Sequence, residues 1–107
     1  MSTDNPIRGH IYRMYDPDYG TLHCLVISSE QVHGTEGSSL ALRVTVTSQR
    51  YNFPYWVRLS SGDPCPGYAI AYDLDRVDHD ELKEDLGELS APTMLLVDQA
   101  LRRHLSL

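Results

Sequence analysis

The segment "LALRVTVTS" (Leu40 to Ser48) constrains the fold more than any other part of the chain. Leu40, Leu42, Val44 and Val46 alternate with Ala41, Arg43, Thr45 and Thr47. A period of two is the mark of a strand with one buried face. Such a strand needs partners, and the chain supplies them. "IRGHIYRMYD" (Ile7 to Asp16) mixes aromatic and β-branched residues at intervals, a first strand. "PDYG" (Pro17 to Gly20) follows with turn chemistry. Leu22 to Ser28 is an apolar run and reads as a second, buried strand. "YWVRLS" (Tyr55 to Ser60) and "YAIAYDLDRV" (Tyr68 to Val77) are the fourth and fifth, separated by "SGDPCPG", a turn on composition alone. "EQVHGTEGSS" (Glu30 to Ser39) reads as a polar loop, and residues 1–6 as a loose arm.

The period changes after Val77. Asp78 followed by Glu81 has the form of a capping box, which predicts a short helix over His79–Leu86, stopped by Gly87 at C′. Ser90 is placed to cap a second helix with Pro92 in its first turn. Met94, Val97, Leu101 and Leu105 then share one helical face. Five strands followed by two helices predict a mainly β domain with C-terminal helices, a small, strongly bent antiparallel sheet or barrel. The length of 107 residues predicts a single domain over 1–107.

Composition narrows the function classes. The chain has no run of eighteen apolar residues, and "MSTDNPIRGH" lacks the regions of a secretory signal, so a soluble cytoplasmic protein is expected. Cys24 and Cys65 do not make a disulfide framework and read as small buried or loop residues in a reducing compartment. Paired Cys/His spacings for zinc are absent, and neither a metal nor a cofactor is expected. Between Asp73 and Glu88 there are eight acids and two bases, which carries the whole net charge of −6. That stretch reads as a solvated face. Gly37 to Gly62 holds Arg43, Arg50 and Arg58 and no acid. A polyanionic partner is therefore confined to one side of the molecule.

Certain residues invite a chemical reading. His23 stands at the entrance of the apolar second strand, as a polar strand-end residue or as a working imidazole. Arg50, Tyr51, Phe53, Tyr55 and Trp56 interleave a cation with aromatic rings; bases stack on such rings and arginine pairs with phosphate. Tyr51 is the stacking candidate, while Trp56 and Phe53 also suit a core or a dimer interface. His33, His79 and His104 have no constellation and are expected at the surface.

The ordered set "IRGHIYRMYDPDYG", "HCLVIS", "VTVTSQ" and "LGELSAPTMLLVDQALRRHLSL" resembles the MazF/PemK/Kid family of bacterial toxins over about residues 7–107. The matching positions are Arg8-Gly9-His10-Ile11-Tyr12, then Thr47-Ser48, then Leu86, Gly87, Leu89 and Met94. The resemblance implies a bent barrel related to SH3-like barrels, a homodimer, and a metal-independent, sequence-selective endoribonuclease acting on single-stranded mRNA. It also implies a cognate antitoxin whose disordered tail covers the RNA groove. The chain departs from the family pattern where it has His23-Cys24 in place of Arg-Pro, and that arginine is the family's main catalytic cation. His10 replaces the acid after Arg-Gly, and Tyr72-Asp73-Leu74-Asp75-Arg76 replaces an acid followed by Gln-x-Arg.

Metal-free RNA cleavage uses the 2′-OH as nucleophile and needs proton transfer and charge stabilisation. Taken with the chemistry of the residues themselves, the candidate assignment is catalysis by His23, Thr47 and Ser48, and RNA binding by Arg43, Gln49, Arg50, Tyr51 and His10. His23 in place of arginine turns a fixed cation into a pH-dependent one, so activity is expected to fall on the alkaline side. The site requires His10, His23, Thr47 and Asp73 to converge in one groove. Whether His10 and His23 share a face depends on hairpin register, which a slip of one residue reverses. The competing reading is a non-catalytic toxin of the same fold that binds gyrase, as CcdB-like proteins do, or an RNA-binding remnant.

Overall fold

The computed structural model describes residues 6–29 and 37–106. One antiparallel sheet is built from β1 (His10–Asp16), β2 (Gly20–Val26), β3 (Ser38–Thr45), β4 (Trp56–Arg58), β5 (Tyr68–Asp78) and β6 (Leu82–Glu88). A 3₁₀ turn (His79–Glu81) joins β5 to β6, and helix α1 (Ala91–Leu105) follows. The strand order is β4-β5-β3-β2-β1-β6, so β4 and β6 are its edges and the sheet is not closed. The mainly β class with a C-terminal helix matches the pattern of alternation.

Register decides which side chains meet. Ile11 lies opposite Leu25 and Leu25 opposite Leu42, so these three share a face. They form the main core with Val44, Val57, Leu59, Ala69, Leu89 and Val97, the last being the fully buried anchor of α1. Each isoleucine, leucine or valine among them contributes about 1.5–3 kcal/mol on burial. The opposite face carries a smaller cluster of Tyr12, Cys24, Val26, Ala41 and Val77, with Met14 and Leu82 packed on it. One strand can serve both faces because β5 is bent. Leu42 pairs with Leu74 but Arg43 with Ile70, which leaves Ala71, Tyr72 and Asp73 without partners on β3. An extra stretch of this kind kinks a strand and increases its twist.

The expected first helix is absent. Leu82 and Leu86 are spaced like a helical pair, but they lie on β6, which runs antiparallel to β1 with two register shifts. Without β6, the N–H and C=O groups on that side of β1 would lack partners. That pairing outweighs a weak local preference. The Asp78–Glu81 box exists, with the Glu81 carboxylate accepting the Asp78 N–H at 2.9 Å, but it closes only the 3₁₀ turn. Gly87, expected at a helix C′, sits in β6 opposite Ile11. The third strand stops at Thr45 rather than Ser48, and it begins at Ser38, inside the expected polar loop. Residues 30–36 of that loop and residues 1–5 of the arm lie outside the described residues. In α1, Ser90 is the N-cap and Pro92 lies in the first turn, as expected. Met94, Val97 and Leu101 face the sheet, but Leu105 is exposed, and Ala100 packs on the core instead.

Asp63, in the β4–β5 connection, ties that connection to the start of α1. Its carboxylate accepts the Ser60 N–H at 2.6 Å, the Ser60 hydroxyl at 2.9 Å, the Ser90 N–H at 2.7 Å and the Thr93 hydroxyl at 2.8 Å. Burial pushes this carboxyl up, yet the hydrogen bonds outweigh it, and its pKa lies below the ordinary value. A negative charge at the amino end of a helix also complements the dipole. Asp63→Ala is expected to cost about 1–3 kcal/mol, read as a lower urea midpoint with unchanged slope. Because the folded pKa is depressed, this contribution is fully present above the unfolded carboxyl value and is lost as pH falls through the folded one. Wild type and variant should converge in stability in acid.

Candidate functional site

The β1–β2 hairpin sets Arg13 directly opposite His23, and β3 sets Val44 on the other side of it. The His23 ring is half-buried. Burial first, and the Arg13 guanidinium second, hold its pKa below the ordinary imidazole value. A neutral ring is therefore favoured near neutrality, with a nitrogen free to accept a proton. Arg13 pairs with the Glu84 carboxylate of β6, and both side chains are about half exposed.

The same register separates His23 from other expected partners. Tyr12 lies opposite Cys24, so His10 falls on the Cys24 face and His23 on the reverse face. His10 does not meet His23. Its Nδ1 lies 3.0 and 2.9 Å from the two oxygens of Asp85, and its ring lies beside that of Tyr12. Arg43, opposite Cys24, is on the His10 face and reaches Asp73 at 3.9 Å. A hollow of about 180 Å³ is lined by His23 together with Asp16, Asp73, Asp75, Glu81, Arg43 and Arg76. Four carboxylates against two guanidinium groups make it a poor receiver of phosphate. His23 and Asp73 line one hollow, but His10 is paired with Asp85 and Thr47 lies beyond the end of β3, so the four do not converge in one groove.

Thr47 and Ser48 lie just beyond the end of β3. The Thr47 hydroxyl oxygen accepts the Gln49 N–H at 3.1 Å, a turn-capping bond that leaves its own proton for another acceptor. Gln49 accepts the Tyr51 hydroxyl on its side-chain oxygen at 2.6 Å and the Tyr68 hydroxyl on its carbonyl at 3.3 Å. The Tyr51 N–H in turn donates to the Tyr68 hydroxyl at 2.9 Å. Ser48 and Arg50 are exposed. The rings gather into a platform. Tyr51 lies 5.5 Å from both Phe53 and Trp56, and Phe53 lies 4.8 Å from Trp56. Phe53, expected in a core or an interface, is 50% exposed against 39% for Tyr51, so it offers an open ring face beside that of Tyr51. The Trp56 indole N–H donates to the Tyr72 hydroxyl at 2.7 Å.

These groups share one end of the sheet, where β1 stops at Asp16, β2 begins at Gly20 and β3 ends at Thr45. Thr47 follows Val44, the neighbour of His23, by three residues, about 10 Å at strand rise. Arg13 was not singled out in the sequence, because only strand register shows that it faces His23. Cys24 is buried and its thiol is pushed up to about 12 by that burial; Cys65 is half-buried and also raised, so neither is a ready nucleophile. His104 is exposed, but His79 is half-buried with Nε2 3.0 Å from the Ser39 hydroxyl. His33 lies outside the described residues. Among the described residues, no group of three or more His, Cys, Asp or Glu side chains is arranged to hold a metal ion, and no helix is long and apolar enough to cross a membrane.

Residues 8–105 match the family described as PemK-like, MazF-like toxin of type II toxin–antitoxin system. The chain belongs to that family. Endoribonuclease MazF1 of Mycobacterium bovis and endoribonuclease MazF4 of Mycobacterium tuberculosis are each 34% identical to it over 102 residues, covering 95% of this chain and 94% of theirs. A mycobacterial endoribonuclease solved in complex with its cognate antitoxin superposes with a TM-score of 0.86 at 34% identity, covering 95% of this chain and 96% of that one. A MazE–MazF structure from Deinococcus radiodurans gives 0.82 at 25% identity, covering 97% and 98%. Family membership extends over both faces of the sheet and includes the β6 strand that local pattern had hidden.

Proposed function

We propose that the protein is a metal-independent endoribonuclease that cuts single-stranded mRNA in the cytoplasm, as the toxin of a toxin–antitoxin pair and as a homodimer. The observation that carries this reading is the Arg13–His23 pair at the same end of the sheet as the Thr47–Tyr51 turn, in a chain whose relatives are named endoribonucleases. His23 accepts the proton of the ribose 2′-OH as that oxygen attacks the adjoining phosphorus. The P–O5′ bond breaks, the departing O5′ takes a proton from water, and the products are a 2′,3′-cyclic phosphate and a 5′-hydroxyl end. Arg13 supplies the fixed charge that the resemblance assigned to an arginine at the position of His23. The Thr47 and Ser48 hydroxyls and the Arg50 guanidinium hold the adjoining backbone, and Tyr51 and Phe53 stack a base. Arg43 and His10 lie on the acid-rich face, tied to Asp73 and Asp85, and have lesser roles in this scheme.

Incubation of the purified protein with a long single-stranded RNA in EDTA tests the reading. Defined cuts with cyclic phosphate ends are expected. RNA that stays intact sinks the nuclease; intact RNA with capture of gyrase points to the CcdB-like alternative, and intact RNA with a salt-dependent mobility shift to a binding remnant.

A further inference from the structure

Gln49 lies exposed in the turn that leaves β3. Its N–H donates to the Thr47 hydroxyl at 3.1 Å, and its main-chain carbonyl accepts the hydroxyl of the buried Tyr68 at 3.3 Å. Its side-chain Oε1 accepts the Tyr51 hydroxyl at 2.6 Å. That bond sets which way the amide faces, with oxygen toward Tyr51 and nitrogen away from it. Among the described residues Nε2 has no acceptor, so two N–H donors stay open. Tyr68 also accepts the Tyr51 N–H at 2.9 Å, so one phenol at the start of β5 pins both ends of the Gln49–Tyr51 unit. The Tyr51 ring is near-parallel to Phe53, at 19°, and meets Trp56 and Tyr68 edge-on. The open donors therefore stand at the rim of a stacking surface, held in place before a ligand arrives. Beside them Arg50 carries donors alone, and among the described residues it makes no ion pair.

We propose that Gln49, oriented by Tyr51, selects a keto base at the nucleotide stacked on Tyr51: guanine first, then uracil, over adenine and cytosine. Guanine offers two adjacent acceptors, O6 and N7, and uracil offers O4 at the equivalent point. Adenine and cytosine carry an amino group there, which sets N–H against N–H. Two opposed donors leave each other without a partner, a loss of about tenfold in affinity. The Tyr51–Gln49 bond is what makes the preference one-sided. With Oε1 engaged, the amide cannot turn its oxygen to an amino base without breaking that bond. The inference rests on the reading that Tyr51 stacks a base of single-stranded RNA, and extends it to which base.

The test is fluorescence anisotropy of the full chain with labelled 2′-O-methyl RNA pentamers. Their blocked 2′ oxygen cannot attack, so binding is read without cleavage. The central base is varied between flanking cytosines. Guanine should bind about tenfold tighter than adenine, and uracil tighter than cytosine. With the wild-type chain, inosine keeps O6 and N7 and should hold the advantage, whereas 2-aminopurine lacks O6 and should lose it; this series needs no variant to fold. Tyr51→Phe keeps the ring and releases the amide, so the guanine-to-adenine ratio should fall toward one. Gln49→Glu exchanges donors for an acceptor and should turn the ratio toward adenine. Equal binding of the four bases, a preference for adenine or cytosine, or no binding of any pentamer overturns the proposal. So does a guanine preference that survives both variants, which assigns the readout to another residue such as Arg50. A keto preference in a protein that leaves long RNA intact sinks the nuclease reading alone, and cleavage without this preference sinks this inference alone.

Discussion

His23→Ala is expected to lower kcat/KM for RNA cleavage by about 10²–10⁴-fold, the range lost with a positioned acid–base group. The pH profile identifies its role. Burial and Arg13 hold the His23 pKa below the ordinary imidazole value, so the neutral ring predominates near neutrality. A base must be neutral to act. The wild-type rate should therefore rise with pH through that depressed value and level off near neutrality, while His23→Ala shows no such limb. This reverses the fall on the alkaline side expected of a cationic imidazole. Arg13→Ala should slow cleavage and move the limb upward, toward the ordinary value, since a neighbouring cation no longer disfavours protonation. Steady-state rates across pH for the three proteins check both points. An unchanged rate in His23→Ala removes the residue from the mechanism.

Gly67→Ala is expected to have the largest effect on stability. Gly67 precedes β5 with φ of +122°, a conformation that side chains rarely adopt. A Cβ there would lie 1.9 Å from the Thr45 carbonyl oxygen. That oxygen is backbone, at the last described pair of the β3–β5 ladder, Thr45 opposite Tyr68. Relief requires the two strands to part where Tyr68 also anchors the Thr47–Tyr51 turn. The cost is of order 3–5 kcal/mol, from backbone strain and lost pairing together. For a domain of this size the thermal midpoint should drop by about 15–30 °C. Circular dichroism melting measures it. A drop of only a few degrees would show that β3 and β5 accommodate the methyl group.

The five expected strands are present because strand-forming composition and alternation are local properties of the chain. In Leu40 to Val46 only Leu42 and Val44 of the four alternating apolar residues are buried; Leu40 and Val46 are exposed, and Ala41 is buried on the other face, because the sheet is covered on both sides there. The sixth strand was not legible. Its segment "LKEDLGE" has two leucines four residues apart and five other residues with no apolar side chain to mark a face. Its strand state comes from β1, which lies far away in the sequence. The candidate site divides in the same way. His23 was visible as an odd residue at the head of an apolar run. The face it occupies, and hence its separation from His10 and its pairing with Arg13, depended on hairpin register, which "PDYG" alone does not specify. Asp63 looked like part of a turn. Only the return of α1 supplies the Ser90 and Thr93 donors that give its carboxylate a structural task.

The indole–phenol bond between Trp56 and Tyr72 has a practical outcome. Trp56 is the chain's single tryptophan, so all indole emission comes from the aromatic platform. A base that stacks there should quench that light, and unfolding should shift its wavelength. The molecule thus carries an unlabelled optical gauge of occupancy and of integrity in one side chain.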